Sequence, residues 1–238
     1  MWKILKDRKI FAAIVIILVF IIFFFSYINS YKQVDSFRGI VLLGYAEDSE
    51  PYIKPHVYPD FITEEEADYI ITTASSKFEE STILGGFVET IRKSKTGWID
   101  RNDPVVKPII EKVCAIEELP FENAEDLQVV EYEPNGFYNE HHDSCCDEDE
   151  TCKAFVKDGG HRVATMLIYL TDEFEGGGTS FPNLRLKLKP KKYSGILFHP
   201  LEESREKCHP NGLHAGLPVK SGKKYVANVW LRQREFTK

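Results

Sequence analysis

An imidazole and a carboxylate stand two residues apart in the run Tyr132-Glu133-Pro134-Asn135-Gly136-Phe137-Tyr138-Asn139-Glu140-His141-His142-Asp143. In an extended chain alternate side chains share a face, so His141 and Asp143 can converge on one point while His142 points elsewhere. That is two thirds of a facial metal triad. The third ligand has to be a histidine far along the chain at a strand terminus, and His199, His209 and His214 are the candidates. His214 is chosen because Leu213-His214-Ala215-Gly216-Leu217-Pro218-Val219 is followed, ten residues after the histidine, by Lys224 at the start of the last strong strand. Two histidines and one carboxylate on one octahedral face leave three positions open, which suits nonhaem Fe(II) with a bidentate 2-oxo acid and dioxygen. The distant carboxylate of such a diacid needs a buried cation at a fixed reach, and Lys224 supplies one. Lys223 is the adjacent rival, but strand alternation puts only one of the two inside. His161, His199 and His209 read as bystanders.

These residues need strands to hold them. From Leu127 onward the pattern is one of short β-type runs: Leu127 to Tyr132, Thr165 to Leu170, Leu184 to Leu188, Gly195 to His199 and Tyr225 to Arg232. The turn clusters Gly176-Gly177-Gly178 and Lys220-Ser221-Gly222 separate them. Leu184, Leu186 and Leu188 alternate with Arg185, Lys187 and Lys189, a strand with one wet face. Upstream, Thr63 and Glu66 form a capping box ahead of Ala67, Ile70, Ile71, Ala74 and Phe78 at helical spacing. A second helix is predicted from Asn102 or Asp103, with Pro104 in its first turn and Val105, Val106, Ile109, Ile110 and Val113 on one side. Helices first and strands afterwards argue for an α+β fold whose β part is a sandwich or jelly roll.

The 238 residues are 43% hydrophobic and 28% charged with a formal charge of −7, which excludes disorder as the main state and gives no basic footprint for nucleic acid. The 19 residues from Ile10 to Ile28 carry no charge. At about 1.5 Å per residue they span roughly 28 Å of hydrocarbon and read as an uncleaved transmembrane anchor. Lys3, Lys6, Arg8 and Lys9 against Asp7 keep the N-terminus cytoplasmic and the bulk lumenal, a type II arrangement. The short, Phe-rich span suits a thin membrane such as the endoplasmic reticulum. The organisation is then a cytoplasmic tail over 1–9, an anchor over 10–28, a stem over 29–51 and a globular domain over 52–238. In an oxidising lumen four of Cys114, Cys145, Cys146, Cys152 and Cys208 can pair, in a pattern that spacing does not reveal; zinc near Cys145, Cys146 and Cys152 is the competing reading. The acidic run Asp147 to Glu150, inside an insertion spanning Ser144 to Thr151, reads as a solvated loop rather than a lid, and lacks the glycine of an EF-hand.

Residues from about 60 to 235 resemble the 2-oxoglutarate- and Fe(II)-dependent prolyl 4-hydroxylase family, particularly its small membrane-anchored forms in plants, algae and large viruses. Besides His141-x-Asp143 and His214 with Lys224, the resemblance is carried by Gly159-Gly160-His161-Arg162-Val163-Ala164-Thr165, by Met166-Leu167-Ile168-Tyr169-Leu170 and by Glu175-Gly176-Gly177-Gly178-Thr179-Ser180-Phe181-Pro182. It implies a double-stranded β-helix (jelly-roll, cupin-like) core behind N-terminal supporting helices. It further implies that Tyr132 and Thr179 join Lys224 at the 2-oxoglutarate tail, and that Tyr138, Arg162 and Trp230 lie beside the peptide. The activity implied is 4-hydroxylation of peptidyl proline in proline-rich or collagen-like chains, with succinate and CO2 as co-products and L-ascorbate keeping the iron reduced. A peptidyl lysyl hydroxylase with the same metal and co-substrate is the rival within the enzyme class. A catalytically silent, membrane-tethered peptide-binding module is the rival outside it. The chain departs from the family pattern at Asn135-Gly136, at His142 and at Arg232, where the family often has Gly-Gln, an aromatic and histidine respectively.

Overall fold

The computed structural model describes residues 51–83, 86 and 88–237. The expected tail, membrane anchor and all of the stem but Pro51 lie outside the described residues. Among the described residues no helix is long and apolar enough to cross a membrane.

Helix α1 (Glu64–Ser75) starts where the capping box places it. The Thr63 amide donates to Glu66 Oε2 at 2.7 Å, and the Glu66 amide donates back to Thr63 Oγ1 at 3.1 Å. Ala67, Ile70 and Ala74 form its buried face. Helix α2 (Val106–Glu117) begins three residues beyond Asp103, with Val105 at its N-cap position and Asp103 supporting the turn that leads into it. The Asp103 carboxylate accepts from the amides of Val105 and Val106, and its carbonyl accepts from Lys107.

Two antiparallel sheets make the body. The larger runs β1 (His56–Tyr58), β11 (Gly195–Phe198), β7 (Arg162–Tyr169), β14 (Lys224–Arg232), β5 (Leu127–Tyr132), β4 (Lys95–Ile99) and β2 (Glu79–Glu80) in spatial order. The smaller runs β10 (Leu186–Leu188), β9 (Thr179–Phe181), β12 (His214–Gly216), β6 (Phe137–His141) and β3 (Arg92–Lys93), while β8 (Phe174–Gly176) pairs with β13 (Val219–Gly222). The result is a jelly-roll β core with supporting helices. The run predicted as a strand from Leu184 begins instead at Leu186, because Pro182–Leu184 form a 3-10 turn and Arg185 takes a left-handed conformation.

Period two divides the central strands between two cores. Leu127 and Val129 of β5, Met166 and Ile168 of β7, and Ala227, Val229 and Leu231 of β14 pack toward the helices with Ile70, Ile109 and Ile110. Val130 and Tyr132, Leu167 and Tyr169, Ile196 and Phe198, and Val226 face the smaller sheet and Phe181. The inner face of the larger sheet is therefore the floor on which polar side chains can be set.

The insertion after Asp143 is not wholly a solvated loop. Asp147 to Glu150 are exposed, but Ser144 is buried, and a third helix, α3 (Glu150–Lys157), follows with Asp149 accepting from the Cys152 amide as its cap. Disulfides join Cys145 to Cys152 and Cys146 to Cys208, and Cys114 is a buried free thiol. The zinc reading fails because the sulfurs it needs are spent on each other. The Cys146–Cys208 bond closes a separation of 62 residues. Cross-links of that length restrict the unfolded chain by about 4 kcal/mol. Replacing Cys146 and Cys208 by serine is expected to lower the unfolding free energy in a denaturant titration by about 3–4 kcal/mol, and removing the shorter Cys145–Cys152 link by less.

Candidate active site

The end of β6 and the start of β12 are neighbours in register, His214 opposite His141, so the two imidazoles meet with ring centroids 4.3 Å apart. Asp143, just past β6, turns its carboxylate to both: Oδ1 lies 3.8 Å from Nε2 of His141 and 3.8 Å from Nε2 of His214. Ligand atoms of the three residues lie within 4.8 Å of one another. The remaining ring nitrogens face backbone carbonyls, Nδ1 of His141 to Asn139 at 2.7 Å and Nδ1 of His214 to Gly212 at 3.0 Å. Those contacts place the proton on Nδ1 and leave each Nε2 lone pair directed into the cluster. Burial, then the neighbouring His214, hold the His141 pKa far below its ordinary value, so this imidazole is neutral and able to ligate. Burial opposes the charge on Asp143, but the Arg162 guanidinium and the Thr165 hydroxyl favour it, and its pKa lies below the carboxylate range. Thr165 Oγ1 donates to Asp143 Oδ2 at 2.7 Å, which leaves Oδ1 as the inward oxygen.

Lys224 lies deeper on the same floor, opposite Tyr132 in the β14–β5 register. It is 2% exposed, and among the described residues no carboxylate pairs with it. Its ammonium instead lies over the rings of Tyr132 at 5.1 Å and Tyr169 at 4.9 Å. Burial, with Lys189 adding repulsion, pulls its pKa down to about 7. Lys223 points to the opposite face and pairs with Glu131 and Glu133, as alternation requires. Thr179 shares a 2.8 Å hydrogen bond with the Tyr169 hydroxyl. The pKa values of the Tyr132 and Tyr169 phenols are raised by burial, so both stay protonated donors. The Gly176-Gly177 turn leading to Thr179 has φ of +72° and +62°, and a Cβ at Gly177 would stand 2.8 Å from the Phe174 ring.

A cavity of about 610 Å³ takes in the cluster, Lys224, Thr179, Tyr138, Arg162 and Trp230. At its outer end the Tyr138 ring stacks on His141 with centroids 3.5 Å apart, and the Arg92 guanidinium lies 4.6 Å from the Tyr138 centroid. Arg162 lies flat on Trp230, 3.4 Å from its ring centroid, while its Nε and Nη2 donate to the two oxygens of Glu125 at 2.6 and 2.8 Å. Arg162 is thus both an ion-pair partner and part of the wall. The Trp230 indole Nε1 is buried without a hydrogen-bond partner, a donor left over on the wall.

The other histidines go elsewhere. His199 pairs with Glu117 at 3.0 Å, His209 accepts from the Asn211 amide, and His161 contacts the Ser144 hydroxyl at 3.0 Å. His142 is outside the three-residue cluster but borders the cavity. Three residues absent from the sequence-level site matter here: Thr165 on Asp143, Tyr169 beneath Lys224, and Glu125 between two arginines. Thr165 and Tyr169 could have been found from β7 alternation, which sets residues 165, 167 and 169 on the inner face; Glu125 lies outside any strand and has no such signal.

A family model described as the 2OG-Fe(II) oxygenase superfamily matches residues 127–232. An Acanthamoeba polyphaga mimivirus protein named "Putative prolyl 4-hydroxylase" is 49% identical over 193 residues, covering 81% of this chain and 80% of the relative. Prolyl 4-hydroxylase 1 of Arabidopsis thaliana is 33% identical over 199 residues, covering 75% of this chain and 68% of the plant protein. The viral collagen prolyl hydroxylase of Paramecium bursaria Chlorella virus-1, solved as its 2OG complex, matches with a TM-score of 0.60 at 33% identity, over 75% of this chain and 95% of that one. Jelly roll and match together define the class as 2OG-Fe(II) oxygenase. Within that class the chain belongs to the prolyl 4-hydroxylase family.

The residues present fit the groups this class uses. Two imidazole Nε2 atoms and one carboxylate oxygen are a facial ligand set for ferrous iron, and the Lys224 ammonium, unpaired among the described residues, is a seat for one end of a diacid. Outer hydrogen bonds of the Thr165 kind commonly contribute 10–100-fold to metal affinity, by rough measure. Thr165→Val is expected to weaken Fe(II) or Co(II) binding by about tenfold in a metal titration while the circular dichroism spectrum is retained.

Proposed function

We propose that this chain hydroxylates C4 of proline in proline-rich or collagen-like polypeptides, converting 2-oxoglutarate and O2 to succinate and CO2. The observation that carries the reading is Lys224: a buried ammonium with no carboxylate partner among the described residues, in the cavity that also holds His141, Asp143 and His214. Unpaired buried charge is costly and persists where a ligand completes it.

Bound Fe(II) with 2-oxoglutarate and dioxygen supplies the oxidising chemistry. The chain's own residues bind and orient. His141, Asp143 and His214 would hold the metal, with Thr165 fixing the carboxylate of Asp143. Lys224 takes the far carboxylate of 2-oxoglutarate, assisted by the Thr179 hydroxyl on the cavity lining and by Tyr132, whose ring lies against the ammonium. Tyr138, Arg162 and Trp230 form the wall against which the target ring lies, and the leftover indole donor of Trp230 serves a peptide carbonyl there. Packed aromatics around the site exclude water from the reacting carbon. L-ascorbate would serve as the reductant that keeps the bound metal ferrous. The apolar segment from Ile10 to Ile28 anchors the enzyme as a type II protein with the domain in the endoplasmic reticulum lumen, a reading supported by its length and by the basic flank before it. Resistance of the full chain to alkaline extraction from membranes tests the anchor.

Incubation with poly(L-proline), collagen-like and lysine-containing peptides, followed by mass-spectrometric location of the added oxygen, should find it on proline. Product on lysine alone overturns the proline assignment in favour of a lysyl hydroxylase. His141→Ala should abolish succinate release; undiminished release would remove the iron assignment, and no release from the wild type would favour the silent binding module. Lys224→Met is expected to raise the KM for 2-oxoglutarate by about 10–100-fold, the loss of one charge-assisted pair. Because the Lys224 pKa is lowered to about 7, its ammonium fraction falls as pH rises through that value, so the wild-type KM for 2-oxoglutarate should climb above pH 7. A Lys224→Arg enzyme, charged throughout, should show a flat profile.

A further inference from the structure

We propose that Arg232 is a positioning residue that clamps α3 to the catalytic strand and thereby sets the substrate end of the cavity, an inference that rests on the prolyl hydroxylase reading above. Arg232 is 4% exposed at the end of β14. Its Nη1 faces three backbone carbonyls at the exit of α3: Phe155 at 2.9 Å, Asp158 at 3.1 Å and Gly160 at 2.7 Å. These include carbonyls that a helix end leaves without partners. Its Nε donates to Glu125 Oε1 at 2.6 Å, the oxygen that also accepts Arg162 Nε at 2.6 Å. Arg162 in turn donates from Nη1 to the backbone carbonyl of Asp143 at 3.2 Å.

The links close on themselves. From Asp143 the chain runs two residues to Cys145, crosses the disulfide to Cys152 in α3, leaves α3 at carbonyls held by Arg232, and returns through Glu125 and Arg162 to the Asp143 carbonyl. Phe155 fills the interior of this ring, 4.3 Å beneath the Arg232 guanidinium and 5.2 Å beneath that of Arg162. The backbone is fitted to the clamp: Gly159 has φ +81°, and a Cβ there would stand 2.8 Å from Arg232 Cδ. Phe155 and Asp158 both border the cavity, so the position of α3 is the position of one cavity wall. A neutral imidazole could not make these contacts, since it has no fork of donors to divide between a carboxylate and a helix end. Arg232, which itself borders the cavity as Glu125 does, is tied to protein on two sides and holds α3 and Glu125 in place from there.

The test compares Arg232→Met, Arg232→Lys and Glu125→Gln with the wild type in four readouts: KM and kcat for a proline-rich peptide, KM for 2-oxoglutarate, succinate formed per hydroxyproline, and amide hydrogen exchange over residues 150–160. Arg232→Met should raise the peptide KM about tenfold, increase succinate per hydroxyproline, and speed exchange at 155–160 selectively, with the 2-oxoglutarate KM within about twofold of wild type. Arg232→Lys should recover part of each change, and adding Arg232→Met to Glu125→Gln should add little, since both break one connection. Equal rises in both KM values, multiplying penalties in the double variant, or exchange at 155–160 no faster than elsewhere would overturn the clamp. If Arg232→Met does not fold, the Arg232→Lys and Glu125→Gln proteins decide by the same exchange and KM criteria. Hydrogen exchange needs no turnover, so a wild type that makes no hydroxyproline while exchange responds as expected overturns the functional reading and leaves the clamp standing.

Discussion

A lysine ammonium sealed inside a β core, with aromatic rings around it and no carboxylate against it among the described residues, is the constraint on which the site depends. Burial works against the charge, and the structure tolerates it because the surrounding sheet is rigid and the cavity opens toward a second polar cluster. The two ends are set by different sheets. Lys224 stands on β14 of the larger sheet, while His141 and His214 stand on β6 and β12 of the smaller one. Packing between the sheets, through Val130, Leu167, Phe181 and Phe198, therefore fixes the distance between the cation and the histidine cluster. The catalytic geometry and the stability of the core are one quantity seen twice.

Much of this was readable because it follows from periodicity. Alternation assigns Lys224 inward and Lys223 outward, and the same rule brings His141 and Asp143 together. The capping box at Thr63 marks α1 at the residue, since its two hydrogen bonds are local. What sequence reasoning missed is non-local or unpatterned. Strands as short as Arg92–Lys93 or His214–Gly216 carry too few residues to show an alternation. Helix α3 was hidden because its stability comes from two cysteines, an aspartate cap and an arginine 70 or more residues away, rather than from an apolar stripe. Glu125 sits outside any strand, and its role exists only where β5, β7 and β14 bring Arg162 and Arg232 to it.

The substrate end is built with more charge than a small apolar target needs. Glu125 is nine-tenths or more buried between two guanidiniums, which together hold its pKa down against the cost of burial. Such a trio stabilises little in net terms compared with an apolar replacement, but it fixes orientation strictly. Arg162 cannot rotate away from Trp230 without abandoning both Glu125 oxygens and the Asp143 carbonyl. The outer wall of the cavity is thereby held in one arrangement.

Cys145 and Cys146 are neighbours whose partners lie 7 and 62 residues away. During maturation each of these adjacent thiols competes for the same two sulfurs, and an exchange of mates would move the α3 cross-link from Cys145 to Cys146, one residue further from Asp143. Oxidation without a thiol-shuffling catalyst therefore traps whichever pairing forms first, and only one pairing joins α3 to Cys145 and Cys208 to Cys146.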